Sequence, residues 1–342
     1  MQTKLLQRRL GSLMTAASLL LAASAALATE SGFMRFDAPS QNGSQEAIHV
    51  VLFYPTQDSA RAVPMGPFTP TVAINGKPDA SVKGLLLLSH GTGGSELGHS
   101  GLAAALAKNG YLVAAMRHPG DNWQDQSLLG APGGSYFSER PRQASRVIDA
   151  ILRDPEWTRR IQADAHGPRV GAVGHSAGGY TVLALAGGIP DLTRIASHCA
   201  SGSDDPIFCS MGKRATNAGA EKISFEGLRD SRVRALAALA PASVMFSAQS
   251  LATINIPVTI YAGDKDTFLV PRYHAEWVRQ NIANADYHAI PNAGHYAFMD
   301  TPGMPIPSPD GDLGANPQGF DRSAFQKELA SELVRFFDRT LQ

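Results

Sequence analysis

The sequence predicts an α/β fold, with a mostly parallel central sheet flanked by helices. Short apolar runs alternate with longer amphipathic stretches over most of the 342 residues, which is the order of strands and helices in such a sheet. Residues 85–88 are four consecutive leucines, as expected of a strand that is buried on both faces. A Gly-x-Ser-x-Gly pentapeptide at 174–178 joins a predicted strand to a predicted helix.

Each expected strand is a short apolar run bounded by turn residues. In chain order these runs are 32–37, 48–54, 85–88, 111–116, 169–173, 233–239, 257–262 and 287–290. Stretches rich in Pro, Gly or Ser are expected to be loops, and they lie at 63–78, 118–140 and 300–320.

The expected helices are stretches in which apolar residues recur every three or four positions. They cover residues 102–108, 142–152, 180–186, about 273–282 and the C-terminal end of the chain. Ser323 and Gln326 have the spacing of a capping box and are expected to begin the last helix. Residues 188–232 lack clear periodicity, so we expect a small cap-like excursion from the sheet there.

Composition and charge exclude several classes of protein. With 44% hydrophobic and 18% charged residues, the chain is an ordinary globular protein rather than a disordered or polytopic membrane protein. Thirty Lys and Arg residues balance thirty Asp and Glu residues, and no basic run stands out beyond the N-terminus. A nucleic-acid partner is therefore not expected, and a neutral or weakly charged small molecule is favoured.

Residues 1–28 have the three parts of a secretory signal peptide. Lys4, Arg8 and Arg9 precede a Leu- and Ala-rich run that ends in Ala-Leu-Ala. We expect cleavage there, which leaves residues 29–342 as a single exported domain, periplasmic or secreted, with no stable membrane anchor. An uncleaved anchor is the alternative, but the small residues at the end of the run favour cleavage. Since the segment carries three basic and no acidic residues, the remaining chain has a net charge of −3.

The chain has two cysteines, Cys199 and Cys209, both within the expected cap. In an oxidising compartment such a pair predicts one disulfide, which stabilises by roughly 2.5 to 3 kcal/mol when it closes so short a loop. Two free thiols are the alternative. A metal site that includes His198 lacks the paired spacing of structural zinc ligands.

The pentapeptide Gly-His-Ser-Ala-Gly at 174–178 has the context of a nucleophile elbow, a tight strand-to-helix turn that lifts a serine hydroxyl clear of the sheet. Small neighbours are required because the turn is crowded, and Gly174 and Gly178 meet that requirement. Ser176 is the predicted nucleophile.

A serine hydroxyl needs a histidine base that a carboxylate holds in place. Asp266 follows one predicted strand and His295 follows the last one, so the chain order is Ser, acid, His. Asp264 and His288 are the alternatives. His288 lies inside a predicted strand and Asp264 has the position of a turn cap, so Asp266 and His295 are preferred.

The segment Ser-His-Gly-Thr-Gly-Gly at 89–94 follows the four leucines, at the place where an elbow hydrolase takes one of its oxyanion donors. We predict the backbone N–H groups of Thr92 and Ala177 as the donors. A flexible turn and a phosphate cradle are the alternatives, but the segment lacks the residue order of both phosphate-binding motifs.

These motifs resemble the α/β-hydrolases, and more narrowly the exported, serine-dependent dienelactone hydrolase-like proteins related to platelet-activating-factor acetylhydrolases. The resemblance also includes Phe-Tyr-Pro-Thr at 53–56 and His-Pro-Gly-Asp-Asn at 118–122, so it spans nearly the whole chain after residue 28. It implies an α/β-hydrolase fold, the triad Ser176, Asp266 and His295, and ester hydrolysis. Dienelactone hydrolases proper use a cysteine nucleophile, and this chain has serine in its place.

Further residues are candidates for the substrate pocket, each with an alternative role in loop support or core packing. They are His90, His118, His175, Tyr180 and Phe246. No metal-binding motif is present, and we expect neither a metal nor a cofactor. The predicted function is a serine esterase that cleaves small esters or lactones. A phospholipid deacylase or lipase, a serine peptidase or acyltransferase, and a binding protein that has lost its chemistry are the alternatives.

Overall fold

The computed structural model describes residues 29–40, 46–201, 204–215 and 224–342. The expected signal peptide and part of the expected cap lie outside these ranges. The strands are β1 (Glu30–Ala38), β2 (Ile48–Thr56), β3 (Arg61–Ala62), β4 (Thr71–Ile74), β5 (Leu85–Ser89), β6 (Leu112–Met116), β7 (Ala163–Asp164), β8 (Gly167–Pro168), β9 (Val170–His175), β10 (Val233–Leu239), β11 (Val258–Gly263), β12 (Asp286–Ile290), β13 (Pro307–Ser308) and β14 (Gly311–Asp312). The helices are α1 (Ser100–Lys108), α2 (Ser135–Arg153), α3 (Pro155–Arg160), α4 (Ala177–Leu185), α5 (Leu192–Ala200), α6 (Pro206–Ala215), α7 (Ala248–Leu251), α8 (Ala275–Asn281) and α9 (Arg322–Thr340).

Within the described residues, ten strands form one central sheet in the order β12-β11-β10-β9-β5-β6-β2-β1-β4-β3. The pairs from β12 to β6 are all parallel, and β2 runs antiparallel to both β6 and β1. The predicted mostly parallel sheet with flanking helices is confirmed. Because parallel strands end at one edge, the turns after β5, β9, β11 and β12 are brought to the same side of the molecule.

The four leucines of β5 show how the two faces of the sheet are covered. Leu85 and Leu87 belong to the buried cluster that packs with α2 and α4. Leu86 and Leu88 belong to the opposite cluster, which includes α1 and α9. Alternate side chains of a strand point to opposite faces, so a strand covered on both faces must be apolar throughout.

The predicted loop at 118–140 is wrong in its last part, because α2 begins at Ser135 and runs through Pro141. Proline has no N–H, so it cannot bond the carbonyl group of Phe137 one turn earlier. The Tyr180 hydroxyl donates to that carbonyl oxygen at 2.6 Å and replaces the missing donor. A side chain from α4 thus allows the helix to continue past the proline.

The predicted capping box at the last helix is also wrong. Asp321 is the N-cap of α9, and its side chain accepts a hydrogen bond from the Ala324 N–H at 2.9 Å. Gln326 instead donates to the carbonyl oxygen of Met299. Short strands interrupt two of the predicted loops, with β4 inside 63–78 and the β13–β14 hairpin inside 300–320.

The two helices α5 and α6 lie in the segment predicted as a cap, and the predicted disulfide between Cys199 and Cys209 joins them. Asp205, just before α6, accepts hydrogen bonds from His198 at 2.9 Å and from His274 at 3.0 Å. His274 precedes α8, so this buried carboxylate ties α6 to the main domain. No helix of the described ranges is both long and apolar enough to cross a membrane.

Replacement of both Cys199 and Cys209 by Ala should lower the free energy of unfolding by about 2.5 kcal/mol, because the loop they close is then unrestricted in the unfolded chain. Urea titration followed by circular dichroism measures this change. Reduction of the disulfide in the unsubstituted protein should lower the urea midpoint as much as the double substitution does. An unchanged midpoint in both experiments would contradict a stabilising role for the disulfide.

Candidate active site

Ser176 occupies the turn between β9 and α4 in a strained conformation, with φ 57° and ψ −117°. Residues other than glycine rarely adopt positive φ, and such a conformation costs about 1 to 3 kcal/mol. A Cβ atom on Gly178 would lie 1.9 Å from the Ser89 carbonyl oxygen, and one on Gly174 would lie 2.1 Å from the Gly178 carbonyl oxygen. The turn therefore requires both glycines, and the local geometry is that of a nucleophile elbow.

Asp266 and His295 are hydrogen bonded and almost completely buried. The His295 Nδ1–H group donates to Asp266 Oδ2 at 2.8 Å. The second carboxylate oxygen of Asp266 accepts from the backbone N–H groups of Phe268 and Leu269, at 2.9 and 2.8 Å. The Phe268 ring stacks on the imidazole, with centroids 4.6 Å apart. These contacts fix the orientation of the ring and place its proton on Nδ1, so Nε2 carries the lone pair.

The alternatives Asp264 and His288 have other partners. Asp264 accepts a hydrogen bond from the Asn292 N–H at 2.7 Å and so joins the turns that follow β11 and β12. The His288 ring stacks on Tyr261 with centroids 4.4 Å apart. Of the two candidate pairs, it is Asp266 and His295 that the structure brings together.

Two cavities meet at Ser176. The larger, of about 290 Å³, is lined by both Ser176 and His295. The smaller, of about 40 Å³, is lined by Ser176, Thr92 and Ala177 together with apolar side chains. The predicted nucleophile, the predicted base and both predicted oxyanion donors thus line two cavities that share Ser176 and Thr92 as lining residues.

The loop after β5 is held in place by side chains from two other segments. The Gly93 N–H donates to Asp121 at 2.8 Å, and the Thr92 hydroxyl bonds the Tyr136 hydroxyl at 2.6 Å. The amide of Gly93 is therefore bonded within the fold, and the adjacent Thr92, the predicted donor, lines both cavities. A fixed donor is needed because stabilisation of an oxyanion depends on prior orientation.

The sequence matches no protein-family model and no curated protein. Among solved structures, the chain is similar to a ferulic acid esterase from Streptomyces cinnamoneus, with a TM-score of 0.59 and 18% sequence identity. The alignment covers 94% of this chain and 92% of the esterase chain. The chain has an α/β-hydrolase fold. At this level of identity the likeness concerns the fold alone.

The hydrolase fold contains a buried ion pair beside the elbow that the sequence analysis did not identify. Arg140 and Asp121 are both completely buried, and the guanidinium of Arg140 bonds the Asp121 carboxylate. Arg140 also donates to the carbonyl oxygen of His90 and, at 3.1 Å, to Thr181 in α4. One side chain thus joins the loop after β5 to α4. The sequence feature that could have revealed this ion pair is the position of Arg140, a charged residue on the apolar face of α2, seven residues before Val147.

Two of the predicted pocket histidines support this loop from behind and do not line the cavities at Ser176. His118 donates from Nδ1 to Gln143 at 2.8 Å and accepts from the Ser89 hydroxyl at Nε2, also at 2.8 Å. His90 donates from Nδ1 to the Gly91 carbonyl oxygen at 2.6 Å and accepts from the His118 N–H at 3.2 Å. The partners therefore require both rings to be neutral.

The other three predicted pocket residues differ in position. His175 lines the larger cavity and donates to the carbonyl oxygen of His295 at 3.1 Å. Tyr180 lines the smaller cavity. Phe246 is fully buried behind Tyr180, stacked on its ring at 5.3 Å, whereas its neighbour Met245 lines the smaller cavity. In the described part of the chain, no cluster of three or more His, Cys, Asp or Glu is arranged to hold a metal ion.

Burial keeps several imidazoles of the site neutral. Desolvation, together with the positive charge of Arg140, lowers the pKa of His90 to about 4. Desolvation lowers the pKa of His99 to about 3, and neither ring nitrogen of His99 has a hydrogen-bond partner within the described residues. The pKa values of His118 and His175 also lie well below the ordinary value, for the same main reason.

Arg140→Met should lower the free energy of unfolding by about 3 to 5 kcal/mol, because it leaves the Asp121 carboxylate buried and unpaired. Arg142→Met, two residues along the same helix at a partly exposed position, is the matched control and should cost less than about 1 kcal/mol. Urea unfolding measures both. Equal effects of the two substitutions would contradict the assigned role of Arg140.

The protein should lose stability as the pH falls from about 6.5 towards 4. His99 has a pKa near 6.5 in the unfolded chain and about 3 in the fold, so the unfolded state binds more protons over this range. His99→Leu should reduce the slope of unfolding free energy against pH by up to about 1.4 kcal/mol per unit. Thermal unfolding at pH 4.5 to 6.5 measures the slope, with exposed His166→Gln as the control. An unchanged slope in His99→Leu would count against a neutral buried His99.

Proposed function

We propose that the protein is a serine hydrolase that cleaves carboxylic esters through an acyl-enzyme on Ser176. The observation that carries this proposal is the buried Asp266–His295 hydrogen bond at the cavity that contains the strained Ser176. A carboxylate, an imidazole and a serine hydroxyl at one site supply the groups that acyl transfer requires. The similar solved protein is itself described as an esterase, which supports the same reaction class.

In the first step, Nε2 of His295 takes the proton of the Ser176 hydroxyl as Oγ forms a bond to the ester carbonyl carbon. The carbonyl oxygen becomes an oxyanion that the backbone N–H groups of Thr92 and Ala177 stabilise. The bond to the alcohol oxygen then breaks, and His295 returns its proton to that oxygen. The alcohol leaves and the acyl group stays on Ser176.

In the second step, His295 removes a proton from water while the water oxygen attacks the acyl carbon. The bond to Ser176 Oγ breaks, Oγ regains the proton, and the carboxylic acid leaves. Asp266 holds His295 in the tautomer that presents Nε2 and stabilises the imidazolium, and it stays ionised throughout. Neither a metal nor a cofactor takes part in this scheme.

The proposal also includes the class of ester that the protein cleaves. The motifs resemble the serine-dependent dienelactone hydrolase-like proteins and platelet-activating-factor acetylhydrolases, which favours a small ester, a lactone or a phospholipid acyl ester as substrate. A peptidase or acyltransferase would use the same three residues. A binding protein without activity is less well supported, because all three side chains are present together with the two oxyanion donors.

We further propose that the protein is exported and works in the periplasm or outside the cell. The disulfide between Cys199 and Cys209 supports this location, since disulfides form and persist in oxidising compartments. The segment 1–28, with its basic start and Ala-Leu-Ala end, is consistent with it. The expected partner is a small ester, and no nucleic acid is expected.

Ser176→Ala should lower kcat for 4-nitrophenyl acetate by a factor of roughly 10⁴ to 10⁶, because the reaction then lacks its nucleophile. Steady-state kinetics by release of 4-nitrophenol measure the loss. Exposed Ser197→Ala is the control and should keep the original rate. Circular dichroism spectra of the two variants should match that of the unsubstituted protein. Near-normal turnover by folded Ser176→Ala would overturn the assignment of the nucleophile.

A further inference from the structure

The two cavities that meet at Ser176 are lined by different predicted catalytic residues. The larger cavity contains Ser176 and the base His295. The smaller contains Ser176 and Ala177, and His295 does not line it, whereas Thr92 lines both cavities. Because of this difference, the two cavities can bind different parts of an ester substrate.

Acyl transfer imposes a matching direction on the substrate. In the tetrahedral intermediate, the carbon bonded to Ser176 Oγ carries an oxyanion, an acyl chain and the alcohol oxygen. The alcohol oxygen must face His295, because it receives its proton from Nε2 as it leaves. The alcohol therefore extends into the space that His295 lines, and the acyl chain takes the remaining direction.

Resting on the proposed function, we propose that the smaller cavity binds the acyl chain and the larger cavity binds the alcohol. We propose further that the preferred substrates are short-chain esters of an alcohol that carries an anionic group, bound by Arg214. Size supports the first assignment and charge supports the second.

The smaller cavity is lined mainly by buried aromatic and aliphatic side chains. Its walls include Tyr180, Phe208 and Met245, each at most 6% exposed. A volume of about 40 Å³ has room for roughly three groups of water or methyl size. Acyl chains of about two to four carbons match this volume, so we expect longer chains to be turned over more slowly.

The larger cavity is roughly seven times as spacious and has a cationic wall. Arg214, near the end of α6, lines it, and no Asp or Glu is among its described lining residues. Gln126 and Ser308 add groups that hydrogen bond. Asp310, on the neighbouring hairpin, accepts a hydrogen bond from Ser308 and does not line the cavity. Because this guanidinium has no acidic neighbour among the described residues of the wall, a carboxylate or phosphate on the alcohol is favoured.

The charge assignment is tested with three acetate esters of equal acyl size: 3-acetoxybenzoate, its neutral amide 3-acetoxybenzamide, and a 3-acetoxyphenyl trimethylammonium salt. We expect kcat/KM to be highest for the anionic ester and lowest for the cationic one, with an advantage of about tenfold over the amide. Arg214→Met should abolish that advantage. Lys213→Met removes the same charge from the same helix outside the cavity lining and should preserve it.

A separate set of esters tests which cavity binds the acyl chain and which binds the alcohol. Monophenyl succinate, which carries its carboxylate on the acyl side, should be a poor substrate beside phenyl butyrate. In a series of 4-nitrophenyl esters, kcat/KM should fall beyond about four acyl carbons, and Met245→Ala should move that limit to longer chains. Exposed Met304→Ala should leave the limit where it is. Thermal unfolding confirms that each variant is folded.

The outcomes separate this inference from the proposed function. If Ser176→Ala loses all ester turnover but the unsubstituted protein hydrolyses the three acetates at equal rates, the role of Arg214 is overturned and the proposed hydrolase function stands. A preference for monophenyl succinate, or a length limit that Met245→Ala does not move, would overturn the assignment of the cavities. Ester turnover that survives in Ser176→Ala would instead contradict the proposed function itself.

Discussion

The geometry of the site depends on one constraint, the close approach of the backbone of α4 to the end of β5. Gly178 passes so near the Ser89 carbonyl oxygen that any side chain there would overlap it. This contact is possible only because β5 and β9 are adjacent parallel strands that end at the same edge of the sheet. Ser176 in this turn has a positive φ, and it lines both cavities. The same approach places Gly91, in the loop after β5, beside the serine.

Buried polar groups fix the positions of the loops and helices that surround the site. Arg140 connects the loop after β5 to α4, and Asp121 balances its charge while accepting a hydrogen bond from the Gly93 amide. Tyr180 lines the smaller cavity and also supplies the donor that Pro141 removes from α2. Asp205 fixes the start of α6, whose residues Met211 and Arg214 face the larger cavity. The groups that shape the pocket are therefore the same groups that stabilise the fold around it.

Local patterns in the sequence predict the sheet and the chemistry-bearing turns well. Positions beyond a strand end favour Asp266 and His295 over Asp264 and His288, and the structure joins that pair by a hydrogen bond. Their catalytic roles remain predictions. Contacts between distant segments could not be read in this way. The helix at 135–141 depends on Tyr180 in α4, which supplies the donor that Pro141 lacks, and the burial of Arg140 depends on its pairing with Asp121. The N-cap of α9 is Asp321 instead of the expected Ser323.

The account depends most on Ser176 being a nucleophile that His295 activates. Reaction with a fluorophosphonate tests this directly, because the reagent forms a covalent bond only with an activated hydroxyl group. Peptide mass spectrometry should find one adduct per chain, on the peptide that contains Ser176. Modification of a different residue, or no adduct under conditions that label a known serine esterase, would contradict the account.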